Sequence, residues 1–527
     1  MRTIRINWEY STGFIQMQKK SDMKAVVSVH AKFTVGKVDD RLFGGFVEHI
    51  GRCVYDGIYE PGHPEADADG FRNDVAALVR ELNMPVTRYP GGNFVSGYDW
   101  HDTVGPKEQR PVRAEYAWEA LEPNQVGIDE FVKWCRKVNT APIMAVNLGT
   151  GSAKSAQELV EYCNFPGGTA WSDLRRKNGA EQPHGIRLWC LGNEMDGSWQ
   201  IGHKTAEEYA RIAHESGKMM KMADPSIELI VCGSSTRSLP NFAAWDARVL
   251  EETFEIADYL ALHAYFGCTK EDVKKMEFFA SPEVLEKQIC DIIAACDFVA
   301  AEKKSARKIN LALDEWNIWY RGNPKAHPET RWQAARPVNE ETYDMADVIV
   351  VGGLLMAMLD HADRLKIGCL AQTVNVIAPV MTRPGGGAWR QTIYYPFYYT
   401  SRYGRGTVLR SHTDSPAYES ANCARPVSWV RSVAVYREEA GEIALFAINR
   451  STEEAAEYTF EMSGFSPESV VEAVEIHHDD LDAVNTEGCE KVAPAAIPAG
   501  VYSVAGGVLQ TTLKPASWNM FRIRVRN

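Results

Sequence analysis

The sequence lacks any long apolar run. No stretch reaches the roughly 18 consecutive apolar residues that a membrane-spanning helix needs, so no membrane partner is expected. The first 22 residues also lack the apolar stretch of about 7–15 residues that is typical of a secretory signal. We therefore expect a cytoplasmic protein in which residues 1–22 form an N-terminal extension, with Met23 as an alternative candidate start.

Paired cysteines are missing as well. The chain has 11 cysteines, an odd number, and they are scattered singly rather than in the close pairs of zinc sites. Several lie in apolar segments that look like strands or helices: Cys135, Cys190, Cys232, Cys290 and Cys369. We expect most of them to be buried, reduced thiols, and we expect neither a metal nor a cofactor.

The chain also lacks an excess of basic residues. Its 57 Lys and Arg against 70 Asp and Glu give a formal charge of −13, which disfavours nucleic acid or an anionic membrane as a partner. At 527 residues, 45% of them hydrophobic, the chain can form one large domain and a smaller one.

Strict alternation of apolar and polar residues is found near both ends of the sequence. Residues 27–35 place five apolar side chains on one face, and Phe521, Ile523 and Val525 alternate with arginines. Alternation of this kind predicts half-buried antiparallel strands. We expect residues 396–527 to form a β-sandwich of jelly-roll type that the strand within residues 23–40 joins.

The central part, residues 41–395, has a different pattern. Short apolar runs alternate there with long amphipathic stretches, which indicates βα units. Near-continuous apolar strands are typical of a parallel barrel, whose strands are buried on both faces. We therefore predict a (β/α)8 barrel of the α/β class. Its eight expected strands are Leu42–Glu48, Pro85–Tyr89, Pro142–Asn147, Ile186–Glu194, Glu228–Ser234, Tyr259–Tyr265, Ile309–Glu315 and Ile367–Gln372.

Polar side chains collect where these strands end. Because all strand carboxyl ends of such a barrel lie on one face, residues far apart in sequence should surround one pocket. The residues concerned are Glu48, Arg88, Asn93, Asn147, Asn193, Glu194, Ser234, His263, Tyr265, Glu315, Gln372 and Asn375.

Two of these residues, Glu194 and Glu315, form a candidate catalytic pair. Each follows an apolar run, at the ends of the fourth and seventh expected strands. Alone, either glutamate would also suit a surface ion pair at a strand end. Together they suit retaining glycoside hydrolysis, which needs a protonated acid and an ionised carboxylate roughly 5 Å apart. Asn193 is placed to hold a sugar hydroxyl beside Glu194.

Seven motifs spread over the expected barrel support this chemistry. They are Phe-Gly-Gly-Phe-Val-Glu-His at 43–49, Arg-Tyr-Pro-Gly-Gly-Asn-Phe at 88–94, Leu-Gly-Asn-Glu-Met-Asp-Gly at 191–197, His-Ala-Tyr at 263–265, Asp-Glu-Trp-Asn-Ile-Trp-Tyr at 314–320, Ala-Gln-Thr-Val-Asn-Val-Ile-Ala-Pro at 371–379 and Trp-Arg-Gln-Thr-Ile-Tyr-Tyr-Pro-Phe at 389–397. With these motifs the chain resembles the α-L-arabinofuranosidases of glycoside hydrolase family 51.

The resemblance implies roles for individual residues in an exo-acting enzyme on arabinose-containing oligosaccharides. It implies Glu194 as general acid/base and Glu315 as the nucleophile of a covalent glycosyl-enzyme. It further implies a homo-oligomer, with a hexamer suspected. The residues implied to hold the terminal arabinofuranose are Glu48, Asn93, Asn193, Tyr265 and Gln372.

Three further residues are expected to support the site. A bidentate Arg88 beside Glu315 would favour the ionised nucleophile and lower its pKa. Trp319, like Trp199, is a candidate wall for the pocket or for the next sugar. His263 is placed with them as a supporting residue because it ends the sixth expected strand in the His-Ala-Tyr motif.

Other functions remain open at this point. On the same barrel, a retaining endo-β-glucanase or β-xylosidase is the alternative. A metal-dependent amidohydrolase would need His-x-His after the first strand, where Glu48-His49 stands instead. A non-catalytic sugar-binding protein would not need both glutamates. Ser198 departs from the family pattern, in which many members carry proline, and this change bears on which leaving group is accepted.

Overall fold

The computed structural model describes residues 23–267, 270–271, 274–320 and 328–526, so the expected N-terminal extension lies outside the described residues. Eight parallel strands close into a barrel, and neighbours in the barrel follow one another in sequence. This confirms the predicted fold class. The strands, first to eighth, are Gly44–Phe46, Val86–Tyr89, Ala141–Val146, Leu188–Leu191, Glu228–Val231, Tyr259–Phe266, Asn310–Ile318 and Leu365–Leu370.

Several strands differ from the expected bounds. The first begins later because Asp40–Phe43 forms a 3-10 helix, and it ends at Phe46 rather than Glu48. The fifth and eighth strands end at Val231 and Leu370, before the expected ends Ser234 and Gln372. The fourth ends at Leu191, so Glu194 lies in the loop beyond it. The seventh continues to Ile318, and its pairing with the sixth strand shifts register between Ala312 and Glu315. An irregularity of this kind re-aims side chains, which the alternation of a sequence does not reveal.

Helices surround the barrel, and each barrel strand is followed by at least one. None of the helices among the described residues is long and apolar enough to cross a membrane. The α-helices are Asn73–Glu81, Ile128–Val138, Ala153–Asn164, Ala170–Lys177, Ala206–Ala223, Ala244–Thr253, Lys275–Phe279, Ser281–Glu302, Met345–Leu359 and Tyr394–Tyr403.

Ten strands form the second domain. They are hydrogen-bonded to one another in a single sheet that encloses a hydrophobic core. Val27, Leu445, Phe460 and Phe521 are fully buried in this core. In sheet order the strands are Ala495–Ala496, Ser466–Ile476, Ser517–Arg526, Glu442–Asn449, Val430–Arg437, Thr407–Asp414, Lys24–Lys37, Ala456–Ser463, Val508–Leu513 and Ser503–Ala505. Three two-stranded sheets complete the fold: Arg113–Glu115 with Ala120–Glu122, Val380–Thr382 with Ala388–Arg390, and Ala417–Tyr418 with Val427–Ser428.

The N-terminal strand joins this domain, as predicted. Lys24–Lys37 pairs antiparallel with Thr407–Asp414 and parallel with Ala456–Ser463. Its expected alternation holds through Val29, after which the register shifts and Phe33 is 63% exposed. The buried part of the strand is thus shorter than the apolar pattern indicates.

The expected boundary between residues 395 and 396 falls inside the helix Tyr394–Tyr403. This helix packs on the barrel, where Ser401 donates a hydrogen bond to the backbone carbonyl of Leu82. We therefore place the boundary after the helix, before the sheet strand that starts at Thr407.

The ten described cysteines are free thiols, and seven of them are buried. The seven buried thiols lie in the core of the barrel domain, whereas Cys290 and Cys489 are exposed.

Candidate active site

Glu194 and Glu315 meet at the carboxyl-terminal rim of the barrel. Glu194 lies three residues beyond the fourth strand, in the left-handed backbone region with φ of 44°. Glu315 lies within the seventh strand at the register shift. One oxygen of each carboxylate lies within 4.8 Å of the other. This separation matches the roughly 5 Å that a retaining glycosidase needs.

Glu315 is held by donors on two sides. Arg88 donates from Nη1 to Oε1 of Glu315 at 2.7 Å, and the Tyr265 hydroxyl donates to Oε2 at 2.8 Å. His263 Nδ1 lies 3.5 Å from the same Oε2. These neighbours favour the negatively charged form of Glu315.

Arg88 makes one hydrogen bond to Glu315, not the expected bidentate pair. Its Nη2 donates to Oδ1 of Asn193 at 2.8 Å, and its Nε lies 3.1 Å from Oδ2 of Asp314. The guanidinium therefore ties the seventh strand to the segment that precedes Glu194.

Glu194 has a different pair of donors. Nδ1 of His263 lies 2.9 Å from Oε1, and the indole Nε1 of Trp199 donates to Oε2 at 2.5 Å. Only 4% of the His263 side chain is exposed, whereas Trp199 is 47% exposed. One oxygen of Glu194 thus faces the protein interior and the other faces the open side of the rim.

Asp314 completes the charge network beneath the pair, and sequence reasoning missed it. Its Oδ1 lies 3.3 Å from Nε2 of His263, and both side chains are almost completely buried. Burial would raise the pKa of Asp314, but the charges of Arg88 and His263 lower it below its usual value. The sequence feature that could have indicated Asp314 is an acidic residue within an apolar strand, directly before Glu315.

The pKa of His263 is well above its usual value. Burial alone would lower it, but the charge of Glu315 and the hydrogen bonds to Asp314 and Glu194 outweigh burial. His263 is therefore a cation at neutral pH, and both of its ring nitrogens are donors.

Burial raises the pKa of Glu315. The charge of Glu194 adds to this effect, while His263, Arg88 and the Tyr265 hydroxyl act against it.

Glu194, His263 and Glu315 are also close enough together to be considered as a metal site. Metal ligation requires a neutral imidazole. Since the raised pKa of His263 keeps the ring protonated, the chemistry of this donor set fits a hydrogen-bonded carboxylate pair better than a metal centre.

Glu48 lies beside the pair as a third buried carboxylate. It accepts hydrogen bonds from the backbone N–H of Phe94 at 3.0 Å, from Nε1 of Trp118 at 2.9 Å and from Nε2 of Gln372 at 2.8 Å. Gln372 in turn accepts from the backbone N–H of Glu48 at 2.9 Å. Burial and the charge of Glu315 raise the pKa of Glu48 to about 7.

The other predicted site residues lie around these carboxylates. Asn193 is fully buried, and besides Arg88 it contacts Oε1 of Gln200 at 3.4 Å. Asn93 is half-buried next to Gly92, and a Cβ at Gly92 would approach both Glu48 and Glu315. Trp319 packs edge-on against Tyr265, with ring centroids 5.6 Å apart.

Sequence reasoning also missed Trp118, which reaches Glu48 from a hairpin after the second strand. The hairpin consists of Arg113–Glu115 and Ala120–Glu122. Glu115 accepts hydrogen bonds from the backbone N–H groups of Ala117 and Trp118, each at 2.7 Å. This segment lies between two Pro-containing loops and is too short to show a periodic pattern of apolar residues. The sequence therefore did not predict its position at the rim.

Three polar residues at the strand ends stabilise loops instead. Asn147 accepts from backbone N–H groups of the turn that follows it, including that of Gly149. Ser234 bonds to Asp246, and Asn375 donates to the backbone carbonyl of Arg52 at 2.8 Å. Not every polar residue at a barrel rim faces the pocket.

The fold and the carboxylate pair define a retaining glycoside hydrolase built on a (β/α)8 barrel. The family model described as α-L-arabinofuranosidase 1 domain matches residues 78–275, and the one described as α-L-arabinofuranosidase C-terminal domain matches residues 314–517.

Curated relatives and solved structures agree with these matches. An intracellular exo-α-(1→5)-L-arabinofuranosidase 1 of Bacillus subtilis is 49% identical over 95% of this chain and 99% of its own. An exo-α-(1→6)-L-arabinofuranosidase of Bifidobacterium longum is 46% identical over 93% of this chain and 96% of its own. A solved family 51 α-L-arabinofuranosidase from Bifidobacterium longum superposes with a TM-score of 0.90 at 39% identity, covering 95% of this chain and 99% of its own. The chain belongs to the α-L-arabinofuranosidases of glycoside hydrolase family 51.

Proposed function

We propose that this protein is an exo-acting, retaining α-L-arabinofuranosidase that releases terminal arabinofuranosyl residues from arabinose-containing oligosaccharides. Its relatives are named for this activity at 46–49% identity over nearly the whole chain. The observation that carries the residue assignment is the carboxylate pair, whose members lie within 4.8 Å and have different donors.

The different donors support one role for each glutamate. Glu315, between Arg88 and Tyr265, is stabilised as a carboxylate and attacks the anomeric carbon of the sugar. Glu194, whose Oε2 faces the open side, protonates the leaving oxygen in the same step. The product is a covalent arabinofuranosyl-enzyme.

Water then completes the reaction. Glu194, now ionised, removes a proton from a water molecule that attacks the anomeric carbon and breaks its bond to Glu315. Because two displacements each invert the anomeric carbon, the arabinose is released with net retention.

Hydrogen-bonding groups around the pair hold the sugar in this proposal. A five-membered ring offers little apolar area, so it is fixed through its hydroxyls by Glu48, Asn93, Asn193, Tyr265 and Gln372. A substrate that lacks one of these hydroxyls leaves a buried polar group unpaired, which costs about 1–3 kcal/mol.

Enclosure of the site favours exo action over the alternative endo-β-glucanase or β-xylosidase. Glu48 and Glu315 are only 3% and 5% exposed, and the hairpin that carries Trp118 covers Glu48. A single terminal sugar fits such an enclosed end, whereas a chain threaded through the site would need an open cleft. The relatives are named for both 1→5 and 1→6 linkages, so linkage preference is a matter for measurement.

The cellular location and the oligomeric state of the protein are part of the same proposal. One relative is named intracellular, which supports action inside the cell on short oligosaccharides. A homo-oligomer, and a hexamer in particular, stays a prediction that light scattering on the purified protein tests.

Hydrolysis of 4-nitrophenyl α-L-arabinofuranoside by the wild type, Glu194→Ala and Glu315→Ala tests the proposal. We expect wild-type turnover, near-complete loss in both variants, and rescue of Glu194→Ala by azide, with a retained glycosyl azide as product. Glu302→Ala, at the end of an outer helix, is the control. Wild-type cleavage of a β-xyloside or β-glucan instead of the arabinofuranoside would reject the assigned substrate.

A further inference from the structure

The consecutive acids Asp314 and Glu315 both reach the charged centre of the barrel. Successive side chains of a strand ordinarily point to opposite faces of the sheet. Between Ala312 and Glu315, however, the seventh strand carries one more residue than the sixth strand that pairs with it. An extra residue of this kind re-aims the side chains around it. Asp314 therefore lies beside the same cations as Glu315.

His263 lies between Asp314 and the catalytic pair. Its Nε2 is 3.3 Å from Oδ1 of Asp314. Its Nδ1 is 2.9 Å from Oε1 of Glu194 and 3.5 Å from Oε2 of Glu315. Each ring nitrogen thus faces carboxylate oxygens, which only accept hydrogen bonds. Both nitrogens act as donors at once only in the cationic ring.

The cationic ring makes the two oxygens of Glu194 unequal. Oε1 accepts from the buried His263, and such a charge-assisted hydrogen bond is weakened when its acceptor oxygen is itself protonated. A proton on Oε2 leaves Oε1 free to accept. Oε2 also lies on the open side of the rim, next to the exposed Trp199. The proton of an acid at Glu194 therefore belongs on Oε2, the oxygen that a leaving group can approach.

We propose that Asp314 is a positioning residue for the acid step, an inference that rests on the function proposed above. It holds His263 as a cation with two donors and thereby keeps the proton of Glu194 on Oε2. From Oε2 this proton passes to the leaving oxygen, while the glycosidic bond breaks and Glu315 bonds to the anomeric carbon.

Without the charge of Asp314, the ring of His263 becomes neutral. Its remaining proton lies on Nε2, towards residue 314, and the bare Nδ1 faces Glu194. A bare nitrogen is an acceptor, so it draws the proton of Glu194 to Oε1. The acid is then still protonated, but its proton points away from the leaving group.

Arg88 gives Asp314 a second contact, which the test has to separate from the first. Nε of Arg88 lies 3.1 Å from Oδ2 of Asp314, so a substitution at 314 also reaches the nucleophile through Arg88. A weakened nucleophile slows the reaction with every leaving group. A misplaced acid proton slows it only with leaving groups that need protonation.

Asp314→Asn keeps the shape of the side chain and removes its charge. The substrates are phenyl and 2,4-dinitrophenyl α-L-arabinofuranosides, because phenol is a poor leaving group that needs a proton and dinitrophenol leaves without one. We expect kcat/KM to fall at least about tenfold on the phenyl glycoside and to stay within about threefold on the dinitrophenyl glycoside. Asp246→Asn removes an equally buried carboxylate away from the pair and should leave the ratio of the two kcat/KM values unchanged.

A double variant tests whether Asp314 acts through His263. In the His263→Gln background, Asp314→Asn should lower kcat/KM on the phenyl glycoside by less than about a further twofold, because the ring through which it acts is already gone. A role through Arg88 alone would lower kcat/KM by the same factor in both backgrounds.

Neutron diffraction from deuterium-exchanged wild-type crystals tests the inference without any variant. X-ray data at ordinary resolution do not show hydrogens, whereas neutrons locate deuterons. Below the pH optimum of kcat/KM we expect deuterons on both ring nitrogens of His263 and on Oε2 of Glu194.

A deuteron on Oε1 of Glu194, or a ring of His263 with a single deuteron, would overturn the inference. Equal losses on the two glycosides in Asp314→Asn, or unchanged hydrolysis of the phenyl glycoside, would overturn it as well. Wild-type protein that cleaves neither arabinofuranoside would instead reject the proposed function, which distinguishes the two failures.

Discussion

At the scale of single residues, the two glutamates of the site differ in the side chains that donate hydrogen bonds to them. Glu315 has Arg88 and Tyr265, whereas Glu194 has His263 and the exposed Trp199. Arg88 and the Tyr265 hydroxyl favour the negative charge that a nucleophile at Glu315 needs. The buried cation His263 lies between the two carboxylates and offsets part of their repulsion.

Arg88→Met tests the residue that links this network. The substitution removes one of the two buried cations, Arg88 and His263, that contact Glu315 and Asp314, so the ionised nucleophile is disfavoured. We expect kcat to fall by about 100-fold or more, the size of effect found when one charge-stabilising donor is lost. Steady-state kinetics on the 4-nitrophenyl substrate measure this. Arg80→Met, at an exposed position of an outer helix, should retain activity, and near-normal kcat in Arg88→Met would contradict the assignment.

Glu115 gives a prediction about pH. Burial raises the pKa of this carboxyl to about 7, from its usual value of 4.5. The folded protein then binds a proton more tightly than the unfolded chain, so the contribution of Glu115 to stability is greatest below about pH 4.5 and is lost as the pH rises through 7. Glu115→Gln removes this dependence.

We expect the melting temperature of Glu115→Gln, relative to wild type, to rise by roughly 1–3 °C between pH 5 and pH 7.5. Differential scanning calorimetry at matched ionic strength measures the difference. Glu108→Gln, outside the buried hairpin residues, should show no such trend. A constant offset between Glu115→Gln and wild type across this range would contradict the argument.

At the scale of elements, the hairpin Arg113–Glu115 and Ala120–Glu122 forms one wall of the site. Arg336 is 3% exposed and donates to the backbone carbonyl of Trp118 at 2.8 Å. The backbone N–H of Trp332 donates to the carbonyl of Glu119 at 2.8 Å. The segment after the seventh strand thus braces the hairpin that places Trp118 on Glu48.

Two arginines that pair with Glu119 allow a matched test. Arg336 is buried, whereas the side chain of Arg331 is 48% exposed. Arg336→Ala should raise KM roughly tenfold with a smaller change in kcat, because the wall loosens while the carboxylate pair stays in place. Arg331→Ala should have little effect, since exposed ion pairs contribute about 0–1 kcal/mol. Similar kinetics for both variants would exclude a bracing role for Arg336.

Much of the barrel was predictable because its strands are continuous apolar runs, and all eight appear in the expected order. Sequence patterns did not give the register shift before Glu315 or the left-handed turn at Glu194, because both depend on contacts between strands. They also missed Asp314 and Trp118. Their partners lie far away in sequence, and no local periodicity marks such contacts.

At the scale of the whole molecule, the barrel and the sheet domain share buried contacts. Every residue of the helix Met345–Leu359 is buried, and a Cβ at Gly352 would clash with the indole of Trp518 in the sheet domain. This close approach explains why the helix lacks a polar face: it packs on the barrel on one side and on the sheet domain on the other.

A half-buried charge network joins the same two domains. Arg431, on the sheet strand Val430–Arg437, contacts Glu286 at 3.0 Å and Asp360 at 2.6 Å, and both acids belong to barrel helices or their ends. Burial raises the pKa of Asp360 to about 6, although Arg431 acts against this shift. The arginine therefore compensates charges that the domain contact removes from water.

Arg431→Met should destabilise the protein by roughly 1–3 kcal/mol, because the partner carboxylates stay half-buried without their cation. Calorimetry should show a lower melting temperature than wild type or a separate early transition of the sheet domain. Arg526→Met, at an exposed position of the same domain, should melt like wild type. Since the carboxylate pair lies on the barrel rim, kcat well below the melting temperature should stay close to that of wild type. Unchanged melting of Arg431→Met would mean that apolar packing around Gly352 holds the domains together without this network.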